Sequence, residues 1–255
     1  MQITGLTLAL LDIPAGATQE FNRWYDLDHL PEHVAKRDVV MGRRYVATQA
    51  LHDAAGVEGS EKHAPYATIY FFGGDIDFMS EEALNGWRDK DRIIRKDARY
   101  WNAGGGVFSG RWRLADVRVR ASELISDEAM PHLPHRGMIA LLGRVPEGRT
   151  EQALAWWDEK YYPDLFSVPG LLAVLRCSPD DSDPNLMLHI AYTECDALAA
   201  MDGIAALRRR QARLGRYPAY DGSYEPLFVL PYQRIVPLEY DFEPGEIGSQ
   251  GLPPT

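Results

Sequence analysis

The sequence predicts an α+β fold made of two like halves in one chain, and three observations carry that prediction. Short apolar, β-branched runs alternate with longer amphipathic ones in the order β-α-β-β-α-β. The same order recurs after residue 137, with corresponding elements at similar spacing. The segment "RWYDLDHLPE" (23–32) also aligns with "AWWDEKYYPD" (155–164), pairing Trp24 with Trp156, Asp26 with Asp158 and Pro31 with Pro163. An internal duplication is the economical reading.

Each element has its own warrant. "ITGLTLALLDI" (3–13) is an apolar, β-branched run closed by Pro14 and Gly16, which reads as a buried strand. Thr18 stands where it can cap a helix running to about Lys36. "VVMGRRYVATQA" (39–50) reads as a second strand, a polar loop spans 51–64, and "YATIYFFG" (66–73) is a third strand. Ser80 before Glu81 and Glu82 starts a second helix that continues to about Arg99. "AGGGVFSG" (103–110) is glycine-rich but leads into a strand over 107–119, so it is a turn back into the sheet and not a phosphate loop.

In the second half, "MIALLGRV" (138–145) is a strand and residues 150–166 are helical. "GLLAVLRC" (170–177) and "LMLHIAYT" (186–193) are strands separated by the turn-rich "SPDDSDPN". A helix runs from about Asp196 to Gly215, and "SYEPLFVLPYQRIV" (223–236) is a last strand broken at Pro231. Residues 1–119 and 137–242 thus form two ferredoxin-like units. Residues 120–136 are a polar, proline-bearing linker, and 243–255 a mobile end or an arm on a neighbouring subunit. Two helices cover only one face of each four-stranded sheet. The second copy is the nearest cover for the other, which gives an intramolecular α+β barrel.

Composition narrows the function. At 255 residues, 45% hydrophobic and 25% charged, the chain can build a substantial core. A net charge of −10 argues against a nucleic-acid or anionic-membrane surface. "RRRQARLGR" (208–216) is an exception that reads first as a solvated helix face, and second as a subsite for an acidic substrate. Cys177 and Cys195 are too few for a disulfide framework and too far apart for a CxxC motif. No leader-like opening or membrane-length apolar run is present, so a cytoplasmic location is expected. Nucleophile-elbow, dinucleotide and P-loop motifs are absent.

The chemistry concentrates in "FNRWYDLDHLPEH" (21–33). Phe21, Tyr25, His29 and His33 stand four apart and share one helix side, with Trp24 and Asp28 beside them. Rings, an imidazole and a carboxylate together suit a pocket that orients a flat carbonyl compound. A histidine with an ordinary pKa near ~6.5 can take or give a proton at neutral pH. Asp28, or Asp26, is placed to orient it. The same pattern also fits a purely structural face, with Trp24 and Tyr25 as core anchors and His29 donating to a backbone carbonyl. His29 and His33 have metal-ligand spacing, with Asp26, Asp28 or Glu32 as a third ligand. Pro31 between them is expected to spoil the alignment, so no metal is assigned. In the second half Tyr161 replaces His29 and Leu165 replaces His33, which suggests one working pocket and one retired to packing.

The pattern F-x-x-W-Y-x-x-x-H-x-P, here Phe21, Trp24, Tyr25, His29 and Pro31, is followed by Gly42, Arg44 and Tyr45 in the next strand. It resembles the first helix of the dimeric α+β barrel superfamily, closest to its EthD-like members. The resemblance implies a ligand cavity between each sheet and its helices. In muconolactone isomerases, polyketide cyclases and cofactor-free quinol monooxygenases, that cavity hosts acid-base chemistry, often with a histidine. Some duplicated barrels bind haem through an axial histidine on a helix. The second half offers only His189, on a strand, which argues against haem.

The leading expectation is a cofactor-independent isomerase, lyase or cyclase acting on a small cyclic or aromatic carbonyl compound. His29 is the general base or acid, Asp28 its orienter, and Tyr25 and Tyr45 donate to the carbonyl oxygen. Phe21 and Trp24 form walls, and His33, Arg44 and Trp87 complete the contacts. The alternatives are a cofactor-free monooxygenase on a phenol and a non-catalytic small-molecule binder. The partner is a small-molecule substrate, with homodimerisation optional.

Overall fold

Eight antiparallel strands close into one barrel, with helices packed on its outside. The computed structural model describes residues 2–13, 16–35, 38–55, 64–74, 106–180, 183–214, 224–242 and 244. The expected helix over 80–99, Trp87, the glycines at 103–105 and the tail apart from Pro244 lie outside the described residues.

In the first half, β1 (Ile3–Leu11) is followed by α1 (Thr18–Trp24), a π-helical turn (Tyr25–His29) and α2 (Leu30–Val34). Then come β2 (Val39–Val46), the short α3 (Gln49–Asp53), β3 (Tyr66–Gly73) and β4 (Gly106–Val119). In the second half, β5 (Gly137–Arg144) precedes α4 (Thr150–Trp156), a second π turn (Trp157–Tyr161) and α5 (Tyr162–Leu165). β6 (Leu171–Pro179), β7 (Leu186–Thr193), α6 (Ala197–Arg213) and β8 (Glu225–Arg234) complete it. Around the barrel the order is β1-β3-β2-β8-β5-β7-β6-β4. The β4-β1-β3-β2 run of the first half therefore recurs as β8-β5-β7-β6 in the second.

Strand alternation fills the interior. Leu6, Leu8 and Leu10 of β1 point inward and are fully buried, as do Ile69, Phe71 and Trp112 from neighbouring strands. An eight-stranded barrel is just wide enough for side chains to fill it. Room for a ligand therefore has to be sought beneath the helices or at the barrel ends. On the outer face, Phe21, Trp24 and Tyr25 pack on Leu11, Val46 and Tyr66. In the second half Trp157, Leu165 and Ile204 pack on Ile139, Val174 and Val229.

Several expectations are corrected. Strand β2 stops at Val46, and the chain turns into α3 where the strand was expected to continue to residue 50. Thr18 is the first helical residue, not the cap; Ala17 precedes it and no side chain caps α1. Pro231 does not break β8, which pairs with β5 through Ile139; β2 meets only Arg234 and Gln233, so no second ladder needs the proline's missing N–H. The segment 120–136 is more than a linker, because Met130 is fully buried in the barrel core and His135 is buried beside it.

The first helix is also not uniformly α-helical. The Leu30 N–H reaches back to the Tyr25 carbonyl, and the Tyr162 N–H to the Trp157 carbonyl. Pro31 and Pro163 follow these turns by two residues. A proline ring clashes with the carbonyl four residues earlier and offers no N–H; a widened turn relieves the clash and keeps the helix continuous. The two π turns stand 132 residues apart, the spacing of the aligned sequence segments.

Candidate functional site

The widened turn spans the residues that the sequence nominates. His29 is 5% exposed and His33 8% exposed, so both imidazoles lie inside the protein. His29 sits among rings: its centroid is 4.5 Å from Tyr25, 4.9 Å from Trp24 and 4.3 Å from His33. His33 continues the stack to Tyr70 of β3 at 5.1 Å, and the Tyr25 and Tyr70 hydroxyls are 3.1 Å apart. Phe21 closes the other end against Tyr25 and Tyr66. Pro31 was expected to pull the two histidines apart, yet the π turn keeps them in edge contact. Among the described residues, no three His, Cys, Asp or Glu side chains gather as a metal-binding group.

A buried ion pair holds this ring cage on the sheet. Arg44 of β2 donates to the Asp26 carboxylate at 2.7 Å, with both side chains 4% exposed. Its guanidinium carbon lies 4.2 Å from the Tyr25 ring centroid, a cation–π contact that fixes the tyrosine. The other Asp26 oxygen accepts from the Tyr240 hydroxyl at 2.6 Å and the Leu238 N–H at 3.1 Å. Arg44, nominated for substrate, is thus engaged by Asp26 and Tyr25. Asp26, the alternative orienter of His29, has both oxygens engaged elsewhere. Asp28 is half-buried on the same turn.

Tyr45 does not join the cage. Neighbours along a strand face opposite sides, so Tyr45 points into the barrel while Arg44 points to the helix. The Tyr45 hydroxyl meets His135 Nε2 at 2.8 Å, and the His135 ring stacks on Tyr192 at 3.8 Å. Nδ1 of His135 lies 2.8 Å from the Leu133 carbonyl, so the imidazole donates there and accepts from Tyr45. Burial pushes the Tyr45 phenol up to about 12, against Arg43 and Arg234. Burial also holds the His135 imidazole down at about 3. His135 belongs to the segment whose composition predicts a linker, yet it is buried. The available signal was a histidine just before an apolar strand.

The second half keeps the frame and changes its contents. Arg176 pairs with Asp158 at 3.0 Å and with Asp116 at 2.9 Å, at positions 132 residues beyond Arg44 and Asp26. Trp157 replaces Tyr25 and Tyr161 replaces His29. On β7, His189 is 2% exposed and lies flat against Trp157, centroids 3.9 Å apart. Among the described residues neither of its ring nitrogens has a hydrogen-bond partner, and burial holds its imidazole down at about 3. A cavity of about 30 Å³ beside it is lined by Trp157, Tyr161, Leu165 and Ala191. That space holds little more than a water.

No protein-family model and no curated protein matches this chain. Its fold does match solved structures. A putative monooxygenase from Fusobacterium nucleatum aligns over 96% of this chain and 97% of its own, with a TM-score of 0.52 and 10% identity. A putative chlorite dismutase aligns over 92% and 96%, with a TM-score of 0.54 and 10% identity. A dye-decolorizing peroxidase from Bacteroides thetaiotaomicron aligns over 92% and 93%, with a TM-score of 0.52 and 7% identity. At these identities the likeness is one of fold: an α+β barrel with its helices outside a closed eight-stranded sheet.

Proposed function

We propose that the protein is an enzyme that moves a proton on a small flat carbonyl compound, with His29 as the acid-base group. The observation that carries this reading is a buried imidazole enclosed by Trp24, Tyr25 and His33 on a π-helical turn. A helix that only covered a sheet has no need of an imidazole there, and π turns occur often at functional sites. His29 takes a proton from the carbon beside the carbonyl, the electron pair moves to oxygen as an enolate, and the proton returns at another carbon. The Tyr25 hydroxyl, backed by Tyr70, donates to the developing oxyanion. Asp28 orients the imidazole, Phe21 and Trp24 are apolar walls, and His33 is a contact. Arg44 acts by holding Tyr25, and Tyr45 is left out because it faces the barrel interior. The chemistry draws on side chains alone.

The same reading takes the chain as a tandem duplication with EthD-like halves. Its support is the paired π turns and the paired Asp26–Arg44 and Asp158–Arg176 contacts at one common spacing.

The test is hydrogen–deuterium exchange next to the carbonyl across a panel of cyclic and aromatic ketones in D₂O, followed by NMR. Enzyme-catalysed exchange that His29→Gln abolishes supports the reading. Oxygen uptake on phenolic substrates without exchange replaces it with the monooxygenase reading. Tight binding without either reaction leaves a binding module.

A further inference from the structure

Where the two halves meet between β2 and β8, only two residue pairs join the strands, Tyr45 with Arg234 and Val46 with Gln233. The other seam, β4 with β6, has seven. At the short seam the barrel end opens into a cleft of about 590 Å³, and its walls include His135, Arg136 and Arg234. The Arg234 N–H donates to the Arg136 carbonyl at 2.8 Å, one step beyond the Gly137–Gln233 pair. The two arginines therefore stand directly opposite each other. Met138 and Tyr232, two residues inward on each strand, face the barrel interior, so the arginines share that face at its rim.

Like charges placed opposite each other across a sheet destabilise it. Among the described residues, neither Arg136 nor Arg234 forms an ion pair with an acid. Arg43, 8% exposed, lies just behind them with Nη1 3.1 Å from His135 Nδ1, and it too has no acid partner among the described residues. A buried guanidinium without a counter-charge is costly. The cleft's single carboxylate, Asp196, caps α6 by accepting from the Leu198 N–H at 2.8 Å. Two arginines at the rim and a third behind them, none with an acid partner among the described residues, in a chain of net charge −10, mark a place that an anion completes. The rest of the lining is Gln233, the buried Ile235 and the exposed Val236 and Pro237, the last two giving it an apolar wall.

We propose that this cleft is a binding site for a small organic carboxylate with an apolar body. The carboxylate bridges Arg136 and Arg234, whose planar guanidinium groups each match its two oxygens. The body lies along Val236 and Pro237, and Arg43 adds charge from below. The two arginines lie at the barrel rim, on the opposite face of the sheet from Arg44 and the His29 cage, so the site does not depend on the reaction proposed there.

The probe is sodium benzoate, titrated calorimetrically into the full chain, with inorganic phosphate as the comparison. Benzoate is expected to bind and phosphate to bind weakly or not at all. Arg136→Gln and Arg234→Gln should each weaken benzoate about tenfold or more, the loss of one charge-assisted contact. Arg136 is exposed, so its replacement leaves folding intact and a lost signal reports binding. Without ligand, Arg136→Gln should melt no lower than the parent, because the cross-strand repulsion is relieved. His29→Gln should bind benzoate unchanged. Absent benzoate binding, binding indifferent to both arginine variants, or phosphate binding as tight as benzoate would each overturn the proposal.

Discussion

In the first half an imidazole, His29, projects from the helical π turn; in the second that position is Tyr161, and the buried imidazole comes from the strand beneath, as His189. The place of His189 in the first sheet is held by Thr68, which pairs with Ala9 as His189 pairs with Leu141. Ala191 stands where Tyr70 does, and Leu165 where His33 does. What is common is the mechanical frame: a π turn, a proline after it, and an arginine from the next strand gripping an aspartate on the turn. What differs is what the frame encloses. The first half packs a continuous stack of rings around two histidines, and the second leaves a small void beside one histidine with neither nitrogen engaged. The frame sets where an imidazole can lie, and the residues on the turn decide whether it has company suited to chemistry.

Four substitutions would break or sharpen that contrast. The largest stability effect is expected at the ion pairs. Arg44→Met strands a buried Asp26 and should cost about 3–5 kcal/mol in urea unfolding. Arg176→Met should cost nearer ~1 kcal/mol, because Asp158 is 35% exposed and solvent screens the loss. Equal costs would erase the difference between the halves.

Next is His189. Its folded pKa, held by burial at about 3, lies below the unfolded value, so stability is complete above roughly pH 6.5. It declines as pH falls from there toward 3, because only the unfolded chain takes up the proton. His135 is held at about 3 in the same way and shares that decline. His189→Leu should therefore flatten roughly half of the acid slope and raise stability at neutral pH by about 1 kcal/mol, by removing two unpaired buried nitrogens. A slope unchanged between pH 4 and 6.5 in thermal melts would show that the ring finds hydrogen bonds in solution. The smallest effect is expected at Tyr70→Phe, which removes one partner of the Tyr25 hydroxyl pair and should cost ~1 kcal/mol of stability.

Much of this architecture is legible in the residues themselves. Alternation in "ITGLTLALL" places Leu6, Leu8 and Leu10 inward without reference to anything distant. The doubled "RWYDLDHLPE" pattern locates both helices and both prolines. The π turn is not legible, because it resolves a conflict between a proline and a carbonyl that a helical wheel does not represent. The Asp26–Arg44 pair left a usable trace, since Asp158 and Arg176 repeat its 18-residue separation. Tyr45 follows Arg44 in sequence but strand alternation turns it to the opposite face, so adjacency to Arg44 does not place it in the cage. His135 was hidden by its polar, proline-bearing surroundings, which describe an exposed connection well and the one buried residue in it poorly.

The central claim is that His29, not the other buried imidazoles, moves the proton. Measured on one responding ketone, solvent deuterium exchange should fall about 10²–10⁴-fold in His29→Gln while circular dichroism and melting stay near the parent's. His189→Leu should exchange at the parental rate. Exchange that survives in His29→Gln, or that disappears in His189→Leu, would contradict the account.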